Sequence, residues 1–258
     1  MRRSVIGWIA AAVIAVGGAA LAYVLFFAGG SGEPSTDLTT PDVITEATTT
    51  SMPSDSATTT SVASDPSTTT DPGTAGGPGQ YVIDPAQSQA SFQIDETLRG
   101  SPNTVVGTTS EVAGQILIDS NDLGASRFSP IVINARTLTT DSDQRNRVMR
   151  SPVILDSGSD ENELVTFTPA SLDGLGGVTA TVGESLDFEV TGDLIIKGMT
   201  QTVTFSVSAV LADESTIQGT ATTRVLRSDF GIGIPNVPFV ADVADEVTLT
   251  LEFVAVSG

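Results

Sequence analysis

From Tyr81 to the C-terminus, apolar side chains recur at every second position in short runs separated by Gly, Pro, Asp and Asn. A period of two places such residues on one face of an extended chain, the mark of antiparallel strands with a single greasy side. Phe92 with Ile94, Ile116 with Ile118, Ile131 with Ile133 and Ala135, and Val165 with Phe167 follow this rule. So do Leu186, Phe188 and Val190, which Leu194 and Ile196 continue beyond an irregularity expected at Gly192. Lys197 to Thr200 reads as a turn, after which Val203, Phe205, Val207 and Ala209 alternate again. Val247, Leu249, Leu251 and Phe253 form the last run. About eight strands are expected, as an up-and-down barrel or a sandwich. Helix signals are few. One short helix is expected over 142–149, with Asp143 in its first turn and Ser151-Pro152 stopping it, and one further turn within 119–127.

The chain ahead of this domain is of another kind. Val5 to Ala28 carries no charge and follows Arg2 and Arg3. At about 1.5 Å per residue such a helix spans a hydrocarbon core of about 30 Å. No basic residue follows until Arg99, so the charge bias puts residues 1–4 in the cytoplasm and the rest of the chain outside it. The expected location is the cell membrane, with a single pass at 5–28. Residues 29–80 hold Thr triplets at 48–50, 58–60 and 68–70 among Ser, Pro, Asp and Gly. They have almost no large apolar side chain, and such a segment cannot offset the entropy of ordering it. It reads as a disordered linker leading to a domain at 81–258.

Cysteine and histidine are both absent. Disulfides, thiolate nucleophiles and zinc–thiolate sites are excluded, and so is the side chain best suited to proton transfer near neutral pH. With 31 acidic against 11 basic residues the formal charge is −20, which makes nucleic acid a poor partner. No pattern of nucleophile and base is visible, so an enzyme is not expected. Residues 156–163 are acidic but lack the spacing of a calcium loop.

Several segments, spread in order through 81–256, resemble the YceI-like family. They are Tyr81-Val82-Ile83-Asp84-Pro85-Ala86-Gln87-Ser88 with Ser91-Phe92-Gln93-Ile94, then Gly114-Gln115-Ile116, then Arg145 to Ser151 with Ile154-Leu155-Asp156. Gly192 to Thr200, Arg227-Ser228-Asp229-Phe230-Gly231-Ile232 and Asp245-Glu246-Val247-Thr248-Leu249 complete the set. The resemblance implies an eight-stranded lipocalin-like barrel whose lumen holds the tail of an isoprenoid, such as a polyprenyl phosphate or an isoprenoid quinone. No cofactor or metal is implied. The family's usual histidines are missing: Gln87 and Glu96 stand at two such positions, and Asn146 and Val148 stand where Asp and His are usual. Holding a tail does not require them.

In such a barrel Phe92, Ile94, Phe167, Phe188, Phe205, Leu249 and Leu251 would line the lumen. In a filled barrel the same residues would be solid core, leaving a surface module whose loops 156–163 or 232–242 contact another protein. Arg145, Arg147 and Arg227 are the candidates for a phosphate head group, because the guanidinium fork donates two hydrogen bonds at once. Two of them have a plainer role open: Arg147 lies four residues after Asp143, the spacing of a helical surface pair, and Arg227 is placed to be a structural partner of Asp229 or a nearby carboxylate.

Overall fold

A computed structural model of the chain describes Leu38 and residues 79–258. The expected stub 1–4, the anchor 5–28 and most of the linker 29–80 lie outside the described residues. Among those described, no helix is long and apolar enough to cross a membrane.

The described chain is all-β. Its strands are β1 (Gly79–Ile83), β2 (Gln89–Leu98), β3 (Ser101–Thr109), β4 (Val112–Ala113), β5 (Gln115–Ile118), β6 (Arg127–Phe128) and β7 (Ile131–Asn134). After these come β8 (Leu164–Asp173), β9 (Ser185–Ile196), β10 (Met199–Asp213), β11 (Thr216–Leu226), β12 (Val240–Ala241) and β13 (Glu246–Ser257). One α-helix, α1 (Asp143–Met149), lies between β7 and β8. A 3-10 turn at Leu123–Ala125 falls inside the expected stretch. The domain starts just ahead of the expected boundary, because β1 begins at Gly79.

Thirteen segments replace the expected count of about eight, and local chemistry supplies the breaks. Between β1 and β2 the Asp84 carboxylate accepts the Ala86 amide at 2.9 Å and closes a turn. Pro130, which has no amide to donate, separates β6 from β7. Gly114 separates β4 from β5, and a side chain there would meet Ile131 Cδ1 at 2.5 Å.

Every ladder is antiparallel. β5 pairs with β1, β1 with β13, β13 with β11, and the order continues through β10, β9, β8 and β7 to β4. Only Gly114 divides β4 from β5, so the ladder returns to where it began and the sheet closes into a barrel. Toward the other end β13 passes from β1 to β2, β2 pairs with β3, and Thr108 bridges to Thr139. Closure leaves few exposed backbone edges.

The β9–β10 hairpin turns on Lys197 and Gly198, both at positive φ (51° and 70°), as a two-residue loop matched to strand twist requires. The alternation of β9 runs in phase through Gly192. The irregularity expected there sits across the ladder, as a bulge at Pro169–Ser171 of β8. Gly192 is needed because a Cβ would lie 2.3 Å from the Thr168 carbonyl oxygen.

The two barrel ends differ. At one, Tyr81, Ile217, Phe253 and Ala255 are buried in a packed apolar plug, and the Tyr81 hydroxyl donates to the Glu214 carbonyl of the β10–β11 hairpin at 3.1 Å. Burial, and then the Asp213 charge, raise the Tyr81 pKa above its ordinary value. At the other end lie the Arg99–Gly100 turn, the Lys197–Gly198 turn, α1 and the long connection from β11 to β13.

Candidate functional site

The inward faces of the strands do not meet. They surround a cavity of about 870 Å³, inside the range of about 300–1,000 Å³ that small-molecule sites occupy. Phe92, Ile94, Phe167, Phe188, Phe205, Leu249 and Leu251 all line it. Each is only half-buried, although each points away from the outer surface of the sheet. These seven side chains border the space, together with the more deeply buried Val190, Leu194 and Ile196. It is the cavity itself that separates a hollow barrel from a filled one. Phe167 and Phe205 meet edge to face, with ring centroids 4.9 Å apart.

Two strands that the alternation did not single out complete the wall. β3 and β11 carry small residues at inward positions, so their greasy face is faint in the sequence. Gly107 pairs with Phe92 across the β2–β3 ladder, and a Cβ there would sit 2.2 Å from the Phe92 ring. Gly219 pairs with Phe253 in the same way, with a Cβ 2.7 Å from that ring. The missing side chains make room for aromatic rings on the neighbouring strands. A large aromatic one strand away from a glycine is the signal by which such strands can be found.

Polar groups gather at the open end, where Glu96, Asp141, Ser142, Gln144, Arg145 and Arg227 join the lining. Ser142 caps α1, its hydroxyl accepting the Arg145 amide at 3.4 Å. Arg145 reaches Glu96 Oε1 at 3.4 Å and also pairs with Asp141. The Glu96 side chain is only 8% exposed and accepts the Asn103 amide at 3.0 Å. Arg147 is exposed and is not among the residues that line the cavity. The i,i+4 ion pair on this face joins Asp141 to Arg145; the pair expected between Asp143 and Arg147 is not the one that forms.

Arg227 holds the rim together. Its Nε donates to the Ala244 carbonyl at 3.0 Å and its Nη1 to that of Ile232 at 2.9 Å, and Asp245 lies 3.7 Å away. Of the carboxylates left open by the sequence, the one near it is Asp245 and not Asp229. Asp245 accepts the Ser228 amide at 3.1 Å and the Ser228 hydroxyl at 2.6 Å. The Ser228 hydroxyl is the main reason that its carboxyl titrates below the ordinary value of 3.8; burial opposes this, and the Ser228 amide and the Arg227 charge add to it. A carboxylate with a lowered folded pKa contributes stability above its unfolded pKa and loses it as pH falls through the folded value. The Ser228 amide is therefore expected to stay protected from hydrogen exchange until the pH drops below the usual carboxylate range, and then to open. In Asp245→Asn that acid step should vanish, with protection already weakened at neutral pH. An unchanged pH profile in the variant would remove Asp245 as the latch.

The positions matched to family histidines have other duties. Gln87 is exposed and donates to Asp84 at 2.7 Å. Asn146 is buried and its side-chain oxygen accepts the Thr140 amide at 2.8 Å, while Val148 lines the cavity. Among the described residues, no group of His, Cys, Asp and Glu is arranged to hold a metal ion. The acidic loop 156–163 is partly buried: Glu163 pairs with Arg136 at 2.9 Å, both side chains being almost fully enclosed.

A YceI-like domain model matches residues 81–255. Among solved structures, BcnA of Burkholderia cenocepacia aligns at 21% identity and a TM-score of 0.52, covering 67% of this chain and 98% of its own. A polyisoprenoid binding domain from Saccharophagus degradans aligns at 17% identity and a TM-score of 0.55, covering 69% and 98%. At such identities these two show a shared fold. No curated protein matches the chain. The family match spans the whole barrel and all of the segments that resembled it, and by it the chain belongs to the YceI-like family.

Proposed function

We propose that the barrel binds the hydrocarbon tail of an isoprenoid-type lipid, as a carrier or sequestering module held outside the cytoplasm by the N-terminal apolar run. The observation that carries this is the half-burial of seven inward-facing apolar residues around a cavity of about 870 Å³. Each methylene withdrawn from water contributes about 0.8 kcal/mol, so a polyprenyl tail is held without any strong polar contact. The similar Saccharophagus degradans domain is described as polyisoprenoid binding, which supports the same class of ligand.

The charged groups of the lining gather at the open end, which supports a head group there and a tail toward the plug. Of the three candidate arginines, Arg145 is the best placed for a polyprenyl phosphate or an isoprenoid quinone, since it lines the cavity from α1. Arg227 spends two of its donors on backbone carbonyls of the rim. The extracytoplasmic setting rests on Arg2 and Arg3 ahead of a long uncharged run.

The test is chemical. Protein spanning 75–258, purified without detergent, is extracted with organic solvent and the extract is analysed by mass spectrometry. A stoichiometric prenyl lipid, or saturable uptake of an added quinone or polyprenyl phosphate, is the expected result. An empty barrel that takes up neither would leave a filled-scaffold role in its place.

A further inference from the structure

The rim of the cavity carries an apolar segment that the tail site does not explain. Between Asp229 and Asp242 no residue is charged. Ile234 is 39% exposed and Phe239 73%, and Pro235, Val237 and Pro238 join them in lining the mouth. The segment is anchored at several points. The Gly233 amide donates to the Val153 carbonyl at 3.0 Å, and the Arg99 amide donates to that of Phe239 at 2.7 Å. The Arg99 guanidinium lies 5.9 Å from the Phe239 ring centroid. Phe239 itself has φ 71°, a left-handed conformation that costs energy for a bulky residue and persists only where the surroundings impose it.

We propose that this loop, Ile232 to Val243, seats the open end of the barrel on a phospholipid bilayer. A ring that enters the acyl boundary next to an arginine that stays among phosphates is how amphipathic groups divide themselves at such an interface. Because the chain as a whole carries −20, the partner surface is zwitterionic. The inference rests on the lipid-binding reading, since a prenyl lipid insoluble in water has to pass between bilayer and lumen through this mouth.

The chain outside the structure gives an independent argument. It joins the barrel at Gly79, on the plugged end, where β1 pairs Tyr81 with Ser257. A linker of a few residues would hold the plug against the membrane and the mouth away from it. Fifty residues, 29–78, lie between the apolar run and Gly79, and a coil of that length would have a root-mean-square span on the order of 40 Å. β10 has 15 residues and so measures about 50 Å along its length, which makes the two lengths comparable and lets the barrel turn its mouth to the bilayer.

The chain contains no cysteine, so a single introduced thiol takes a fluorophore at one place. The full chain is incorporated into phosphatidylcholine vesicles bearing chain-attached nitroxides, with bimane at Phe239→Cys, at Ile234→Cys or, on the plugged-end hairpin, at Glu214→Cys. The loop labels are expected to be quenched by the lipid nitroxide several-fold more than the Glu214 label, and to be shielded from iodide in the water. Loop labels as accessible to iodide as the hairpin label, or stronger lipid quenching at Glu214, would overturn the proposal. Solvent extraction of the same samples reads the lumen separately. Loop labels in water on a protein that carries lipid refute the seating alone, while inserted labels on an empty barrel uphold it and refute the tail site.

Discussion

Replacing Glu163 with leucine is expected to destabilise the domain by about 1–3 kcal/mol, because buried Arg136 loses the enclosed counter-charge of Glu163 and keeps the exposed Asp160. Arg136 is enclosed, and its Nη1 meets Glu163 Oε2 at 2.9 Å while its Nη2 donates to the Gly158 carbonyl at 3.1 Å. The other Glu163 oxygen accepts the Asn134 amide at 2.9 Å, so the substitution also orphans a fully buried amide donor. These bonds tie the end of β7 to the start of β8 and close the connection that carries α1. The loss should therefore reach the polar rim of the mouth as well as global stability. Urea unfolding measures it, and Arg136→Met combined with Glu163→Leu should recover much of the loss, because the pair is then removed together. A single-variant cost below about 1 kcal/mol would place the pair with ordinary surface salt bridges.

Ala221→Phe is expected to move stability and ligand binding in opposite directions. Ala221 lies on β11 between Val207 of β10 and Leu251 of β13, and it lines the cavity. A phenyl ring placed there enters open space and brings no polar atom needing a partner. Filling a cavity of this kind commonly stabilises by about 0.5–2 kcal/mol. The same ring occupies volume that a prenyl tail would use, so binding should weaken at least tenfold, about 1.4 kcal/mol. Calorimetric unfolding and ligand titration on one sample read both signs. In a barrel already filled by its own side chains, the substitution would overpack the core and cost about 1–3 kcal/mol, with no binding to lose. That outcome would end the tail-binding reading.

What could be read in advance followed the size of the side chains. The runs containing Phe188, Phe205 and Leu249 declared themselves because large apolar residues alternate with Thr, Ser and Glu. β11 did not, since Gly219, Ala221 and Thr223 interrupt its inward face between Ile217 and Val225, and neither did β3 with Gly107. Their smallness has a reason only across the ladder, where Phe253 and Phe92 take the space. The head-group candidates show the same limit. Arg145 and Arg147 are equivalent as letters on a short helix, and only the direction in which α1 packs puts one at the cavity and the other in solvent. Glu163 looked like one more acid in an acidic loop until Arg136, distant in sequence, was found against it.

The sequence by itself determined the all-β class, a short helix near 142–149, a turn starting at Lys197 and the family, because each depends on local periodicity or on residues close together along the chain. That Ser142 caps the helix and that Met199 and Thr200 already belong to a strand came from the structure. Whether the inward faces touch or stand apart depends on how far the closed ladder spreads its strands, a property of all of them at once. The tertiary structure decided that they stand apart, that one end is plugged by Tyr81 and Phe253, and that the other is open beneath a rim of uncharged loop. Alternation gives the direction of a side chain and carries no information about the distance to the one opposite it.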